Sequence, residues 1–348
     1  QLPNACRSVP SMSKKLLLVS PVFHGYWQGI AQAFKQRGYT VLPYCYDRLE
    51  NAAHRVEHKL KIELADRRDP HGLPGSRLHA QQVTARCAQL VRSSRPDVVV
   101  TIKGDILQAD YWQSIEEVGA KRITWFYDEL RRMNVDEAGL RMRGPIATYS
   151  AIDAAAMAER GLDAFYLPLA FDSSLPFTPV ASDAVVFVGA RYGQREPMLR
   201  ALYQAGVDVK AYGRAWSKHW WDRARTWSWH RPAIPSGRDL DRSHAYGVMA
   251  GARASLNLHG DQDGFTMRTF EACGVGGLQI VDRADVDSLY DPGSELLVFH
   301  STQELVELAE RAGAEPQWAQ AIAQAGRKRT LAEHTFAHRV QALEARWQ

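Results

Sequence analysis

Asp263-Gly264-Phe265-Thr266-Met267-Arg268-Thr269-Phe270-Glu271-Ala272-Cys273-Gly274, with the apolar run Gly277 to Val281 directly behind it, is the stretch from which the rest of the chain is read. Met267 to Cys273 has the pattern of a short helix, and Gly277 to Val281 that of a buried strand. Two carboxylates, Asp263 and Glu271, stand eight positions apart. Within one helix they would lie about 12 Å from each other. With Asp263 and Gly264 in the loop ahead of the helix, the loop can fold back and bring both groups to one small ligand. Glycine at 264 lets backbone approach that ligand closely. Thr266 takes the N-cap position, and the N–H groups near Thr266, Met267 and Arg268 would face an anion. Glu271, one turn in, suits a pair of vicinal hydroxyls such as those of a ribose. The same spacing also describes an exposed loop and one polar helix face.

Outward from this stretch the second half alternates strand and helix. Ala184 to Val188 reads as a strand running into Gly189-Ala190-Arg191, with a helix from about Glu196 to Gln204. Val207 to Tyr212 is a strand followed by Gly213, Asp239 to Gly251 a helix, and Ala254 to Leu258 a strand followed by His259. Glu295 to Phe299 is a last short strand. Thr302 to Ala312 and Gln317 to Trp347 are helical, the latter with a break expected near Gly326.

The first half alternates in the same way. Strands are expected at Lys15 to Ser20, Tyr39 to Cys45, Asp97 to Ile102, Arg122 to Tyr127, Pro145 to Tyr149 and Ala164 to Leu167. Helices carry Ile30, Ala33 and Phe34, then Leu78 to Ser93, Tyr111 to Val118 and Ile152 to Arg160. Asn51 to Ser76 is charged and loop-rich, with a turn signal at Asp69-Pro70-His71-Gly72. Asp172 to Ser182, with two prolines and three serines, reads as a linker. Two α/β domains of mostly parallel sheet, 14–172 and 184–326, are thus expected to face a cleft across a linker at 173–183. Residues 1–13 read as a tag remnant or disordered extension without a secretory signal, with Met12 as a natural start.

Composition bounds the function. The chain has 348 residues, 45% hydrophobic and 24% charged, as in a globular domain pair, with no apolar run long enough to span a bilayer. A formal charge of +4 suits an anionic ligand or a membrane surface and is too weak to argue for nucleic acid. Cys6, Cys45, Cys87 and Cys273 lie far apart, as free thiols of a reducing cytoplasm would. Neither G-x-G-x-x-G nor G-x-x-x-x-G-K-[ST] occurs, so a dinucleotide or P-loop site is not indicated. Nor does G-x-S-x-G, H-E-x-x-H or a metal-ligand cluster, and no metal is expected.

In open parallel sheets ligands sit beyond the carboxyl ends of the strands. That rule selects His24, Lys103, Asp105, Asp128 and Glu129 in the first half, and Gly189, Arg191, Arg195, Gly213, His259, Asp263 and Glu271 in the second. The helix start after Gly189, with Arg191 and Arg195, would hold a diphosphate. The bland alternative is a turn with two solvated arginines. His24, with Asp128 in competition, is the candidate general base. Trp216, Trp220, Trp221, Trp227 and Trp229 crowd one segment among Lys218, His219, Arg223, Arg225, His230 and Arg231. Such a segment could stack on sugars or bases or sit at a lipid headgroup layer. Equally, several of its tryptophans could fill the second core. Trp216 follows the Tyr212-Gly213 strand end, so at least part of this segment should border the ligand site.

Asp263 to Glu271 resembles the acidic-x7-Glu signature of retaining glycosyltransferases of GT-B fold, with Asp263-Gly264-Phe265-Thr266 where Glu-Gly-Phe-Gly is common. The wider pattern is similar to the CgeB-like (spore maturation) glycosyltransferases and the group 1 transferases. It includes Phe187-Val188-Gly189 with Arg195, Tyr212-Gly213 with Trp216, Leu256-Asn257, Arg268-Thr269-Phe270-Glu271-Ala272, Tyr290 to Glu295, and Ala325-Gly326-Arg327 through Phe336. The resemblance spans residues 184 to 340. It implies a bacterial, cytoplasmic GT-B enzyme, at the inner face of the membrane if the tryptophans bind lipid. Its two Rossmann-like domains would face a cleft, with a final helix, 327–348, crossing back to the first domain. A nucleotide-sugar donor (UDP, dTDP or GDP) would be its co-substrate, and no further cofactor is implied. By analogy Glu271 would bind the ribose and Arg195, with Arg191, the diphosphate. Asp263, with the Gly264 and Phe265 backbone, would contact the sugar. Asp at 263 is one methylene shorter than the usual Glu, and the lysine usual near the phosphates is missing between Arg191 and Lys210. The acceptor is not implied. A nucleotide-sugar epimerase and a non-catalytic sugar-nucleotide- or nucleic-acid-binding module are the rival readings.

Overall fold

β1 (Lys15–Ser20) sends Leu16 and Leu18 into one core and Leu17 and Val19 into another, all four fully buried. A strand with both faces covered needs a continuous apolar run, which is why this segment does not alternate with polar residues. The computed structural model describes residues 13–48, 62, 66, 69, 71 and 73–347. The expected extension (apart from Ser13), Cys6 and most of the Asn51 to Ser76 loop lie outside the described residues.

The first sheet holds β1, β2 (Thr40–Cys45), β3 (Val98–Ile102), β4 (Lys121–Phe126), β5 (Ile146–Thr148) and β6 (Ala164–Tyr166). Their order is β2-β1-β3-β4-β5-β6, parallel throughout. Its described helices are α1 (Tyr26–Gln36), α2 (Pro74–Ser94), α3 (Ala109–Glu117), α4 (Glu137–Met142) and α5 (Ala151–Glu159). The second sheet holds β7 (Ser182–Val188), β8 (Val209–Tyr212), β9 (Ser236–Gly237), β10 (Ala252–Asn257), β11 (Gln279–Val281) and β12 (Leu297–Val298). Its order is β12-β11-β10-β7-β8-β9, again parallel, the doubly wound arrangement of a Rossmann-like domain. Around it lie α6 (Arg195–Gln204), α7 (Trp220–Thr226), α8 (Arg242–Gly251), α9 (Met267–Gly274), α10 (Thr302–Ala314) and α11 (Pro316–Glu333). The two-domain parallel architecture expected from the alternation is therefore present.

The break in the C-terminal helix is displaced from the expected site. Gly326 lies inside α11, where a Cβ would meet the Glu295 carbonyl oxygen at 2.2 Å. This glycine serves close packing of helix on loop rather than ending the helix. The chain breaks instead at His334–Thr335, where Thr335 and His338 form a reciprocal cap for α12 (Phe336–Glu344). α12 packs on α1, with Trp347 stacked on Phe34 and the Glu344 carboxylate accepting from Tyr39 and Arg37. α11 instead lines the second core through Ala319, Ile322 and Ala323.

One continuous cluster of buried side chains runs through both halves. It links Tyr26, Tyr149 and Phe171 to Tyr246, Phe265, Phe270 and Phe336. The halves are thus packed on each other along their carboxyl strand edges. Of the five crowded tryptophans only Trp216 is core. Trp220, Trp221, Trp227 and Trp229 are exposed, against the expectation that several would fill the interior. Cys87 and Cys273 are buried free thiols and Cys45 is half-buried. Burial pushes the Cys87 thiol up to about 12.

Candidate functional site

Where strand order reverses, a doubly wound sheet leaves a crevice beyond its strand ends. In the second sheet the reversal falls between β7 and β10. The two loops that leave them are Gly189 to Gln194 and Leu258 to Thr266, the two stretches singled out from sequence. They are tied together: the Arg195 Nε donates to the Leu258 carbonyl at 3.0 Å, and its Nη1 to Ala190 at 3.0 Å. The Arg195 guanidinium also lies 3.8 Å from the Tyr192 ring centroid. Burial lowers its pKa from the ordinary arginine value, yet it stays cationic at neutral pH. Arg191 pairs with Glu196 at 3.4 Å and reaches Ser228 at 3.3 Å. Gly189 and Gly213 are pressed together, since a Cβ on Gly213 (φ 147°) would meet the Gly189 carbonyl at 2.6 Å. Trp216 is buried beside them and donates its indole N–H to that carbonyl at 2.8 Å, so it borders the crevice from inside the core.

His259 is wholly buried. Its Nδ1 meets Asp282 at 2.8 Å and its Nε2 meets Thr269 at 3.0 Å, so it braces β10 against α9. Burial works to raise the Asp282 pKa, but bonds to the His259 ring and N–H outweigh it and hold the carboxyl below its usual range. Phe265 packs edge-on against His259 and lies under Arg283, whose guanidinium donates to the carbonyls of Gln262, Asp263 and Gly264. Arg283 thus shapes the acidic loop, and nothing between Asp263 and Gly274 signals it. Thr266 occupies the N-cap position of α9, but its side chain makes no capping bond.

The acidic pair is split by its surroundings. Glu271 is fully buried, one oxygen accepting from the Tyr26 hydroxyl of the first domain at 2.8 Å and the other from Arg268. Arg268 also donates to the Val188 carbonyl, which joins α9 to the β7 end. Burial would lower the Arg268 pKa, but the Glu271 charge outweighs it and raises it. Burial and Glu271 hold the Tyr26 phenol well above 10. Arg242 lies over the Tyr26 ring at 4.6 Å and pairs with Asp172 at 3.0 Å. Asp263 is part-exposed, with its carboxylate 3.2 Å from Arg131 and its N–H donating to buried Glu129 at 3.0 Å. Glu129 also accepts from the Tyr149 hydroxyl at 2.5 Å and pairs with Arg132 at 2.9 Å. Gly264 fits against this wall, for a Cβ there would meet the Tyr149 carbonyl at 2.3 Å. The backbone approach foreseen at Gly264 is here made by the facing domain.

From the first domain, Lys103 stands between Asp128 at 2.7 Å and Asp105 at 3.6 Å, in a left-handed backbone conformation (φ 62°) at the β3 end. Burial would lower its pKa, but the two carboxylates outweigh this and raise it. His24 is exposed after β1, likewise left-handed (φ 50°). Tyr26, Arg131, Arg132, Arg242 and Tyr149 complete the inter-domain wall. Only the Arg131-Arg132 pair, directly after Asp128 to Leu130, carried a local charge signal in the sequence.

Two Rossmann-like domains meeting at such a crevice define the GT-B fold. The chain superposes on the Anabaena protein HepE in complex with UDP-glucose with a TM-score of 0.62 at 13% identity, covering 95% of this chain and 98% of that one. Sucrose-phosphate synthase from Thermosynechococcus elongatus gives 0.60 at 12%, over 95% and 98%. A putative UDP-N-acetylglucosamine 2-epimerase from Listeria monocytogenes gives 0.58 at 9%, over 96% and 95%. At these identities the likeness speaks to the fold. Residues 194–345 match the family described as "Glycosyl transferase-like". No curated protein sequence matches the chain. No described helix is long and apolar enough to cross a membrane.

Proposed function

We propose that the chain is a metal-independent glycosyltransferase of the cytoplasm, related to the CgeB-like enzymes, that moves a hexose or deoxyhexose from a nucleoside diphosphate to an acceptor hydroxyl. The observation that carries this reading is the convergence at one strand-order reversal of the Gly189–Arg195 loop, the Leu258–Thr266 loop and the Glu271 helix. Most of that set lies inside the glycosyltransferase match. Six of the solved neighbours, from three proteins, are named for complexes or substrates with UDP or a UDP-sugar, so UDP is the first nucleotide to test. In this reading Glu271 takes the ribose hydroxyls. Arg195, with Arg191, faces the diphosphate, helped by the N–H groups of the α6 start. Asp263, with the Gly264 and Phe265 backbone, orients the sugar.

Transfer breaks the bond from the sugar C1 to the diphosphate oxygen and forms one from C1 to the acceptor oxygen. With retention the acceptor proton passes to the departing phosphate oxygen on the same face. With inversion it passes to His24 or Asp128. Asp263 at the acidic-x7-Glu spacing supports retention. The test is a thermal-shift panel of UDP, GDP, dTDP and CMP sugars followed by calorimetry on Glu271→Gln. The expected result is one stabilising nucleotide and at least about tenfold weaker binding in the variant. Unchanged affinity refutes the ribose assignment. The likeness to the Listeria epimerase keeps a second reading, epimerisation of the donor. A new sugar nucleotide formed without any acceptor would establish that one.

A further inference from the structure

Residues 214–238 comprise the β8–β9 connection, the edge strand β9 of the second sheet and Arg238 just after it, and hold five of the chain's ten tryptophans. Outside Trp216, these side chains are turned to solvent: Trp220 is 67% exposed, Trp221 47%, Trp227 84% and Trp229 67%. Indole rings are normally among the most buried side chains, so four free ones within ten residues need an occupant. Trp227 is moreover held at φ 49°, a conformation unfavourable to any residue with a Cβ.

The charges around the rings identify the occupant. The segment contains six Lys and Arg and a single acid, Asp222. Its local charge of +5 exceeds the +4 of the whole chain. Asp222 is buried, bonded to Ser217 and Arg238, and does not face solvent as an anion. Among the described residues, Lys218, Arg223 and Arg225 have no carboxylate partner. The surface is therefore apolar rings with polar N–H tips set among unpaired cations, and no exposed acid. Tryptophan sits at the headgroup level of bilayers because its ring is apolar and its N–H is polar, and cations beside it are drawn to anionic lipid.

We infer that the β8–β9 segment is a docking surface for an anionic lipid bilayer. The exposed tryptophans enter the headgroup layer, while Lys218, Arg223 and Arg225 neutralise phosphate. The sheet edge then lies against the membrane and the crevice beyond β7 and β10 opens beside it. This holds whether the crevice transfers or epimerises a sugar.

Co-sedimentation of the full chain with phosphatidylcholine vesicles, with or without about one-third phosphatidylglycerol, tests it. Binding to the anionic vesicles alone is expected, weakening several-fold as salt rises from about 0.1 M to about 0.5 M. Trp227→Ser with Trp229→Ser should cut the partition at least about tenfold, with the circular dichroism spectrum and Tm unchanged. Trp227 and Trp229 are 84% and 67% exposed, so their replacement opens no core. A second variant, Lys218→Ser with Arg225→Ser, should lose affinity chiefly at low salt. Failure of the unmodified chain to sediment with anionic vesicles overturns the inference, as does a tryptophan variant that sediments like the parent. Retention on a neutral polysaccharide gel or dimerisation by light scattering, without vesicle binding, would assign the patch to a glycan or a second copy and equally overturn it.

Discussion

Tyr26→Phe removes one oxygen and asks which state of the cleft the Tyr26–Glu271 bond serves. The hydroxyl donates to Glu271 at 2.8 Å, and both residues are buried. A hydrogen bond to a charged acceptor contributes about 1.5–3 kcal/mol. Losing it leaves the Glu271 oxygen without a donor from the first domain, so the ligand-free protein should unfold a few degrees lower, about 2–8 °C. Donor binding should move the other way. If ribose hydroxyls take the same carboxylate oxygen, the parent must first release the phenol, and the variant is spared that release. Its affinity for the cognate nucleoside diphosphate should then rise by the same free energy, at least about tenfold. Calorimetric titration of parent and variant with UDP, or whichever nucleotide the panel selects, reads this directly. A native-like variant with unchanged or weaker affinity would sink the idea that phenol and ribose compete for Glu271.

Gly264→Ala should separate the domains locally, because its Cβ would lie 2.3 Å from the Tyr149 carbonyl. A loss of about 1–3 kcal/mol in urea unfolding is expected, with donor affinity changed as well. At least one of His24→Ala and Asp128→Asn should lower turnover more than about tenfold if an inverting base is used. Normal turnover in both removes that role. His334 is buried between the Leu289 carbonyl and Arg339, and burial pushes its pKa down to about 4. The unfolded chain binds its proton below about 6.5, and the folded chain only below about 4. This contribution is therefore present above about pH 6.5 and lost as pH falls toward 4, up to about 3 kcal/mol. Tm measured across that range should drop less steeply in His334→Gln.

The sequence declares its strands well because both sheets are buried on two faces. Runs such as Leu16 to Val19 and Val98 to Ile102 have no solvent side to break them with polar residues. Loop positions at strand ends are legible for the same reason, since they follow from the strands. What the site does with them is set by contacts between residues more than 130 positions apart. Glu129 to Asp263 and Tyr26 to Glu271 are examples, and no local pattern encodes them. Gly326 misleads because low helix propensity signals a break, while here the missing Cβ admits a carbonyl. The four exposed tryptophans mislead in the opposite sense: hydrophobicity alone predicts an interior, and only the fold shows that these side chains were left outside.

The chain passes between domains twice, once at Phe171 and once at His334–Thr335, and the two crossings are bonded to each other. Phe171 donates to the His334 carbonyl at 2.8 Å and accepts from Phe336 at 3.1 Å, and Phe171 pairs with Thr335 as a parallel bridge. Two strands of covalent chain fastened at a single point make an axle. Sliding of one domain past the other would break both bonds at once, whereas rotation about that point would keep them. Tyr26 sits beside that axle, its ring 6.5 Å from Phe336 and under Arg242, which pairs with Asp172, so rotation about Phe171 would move the Tyr26–Glu271 bond less than contacts farther out.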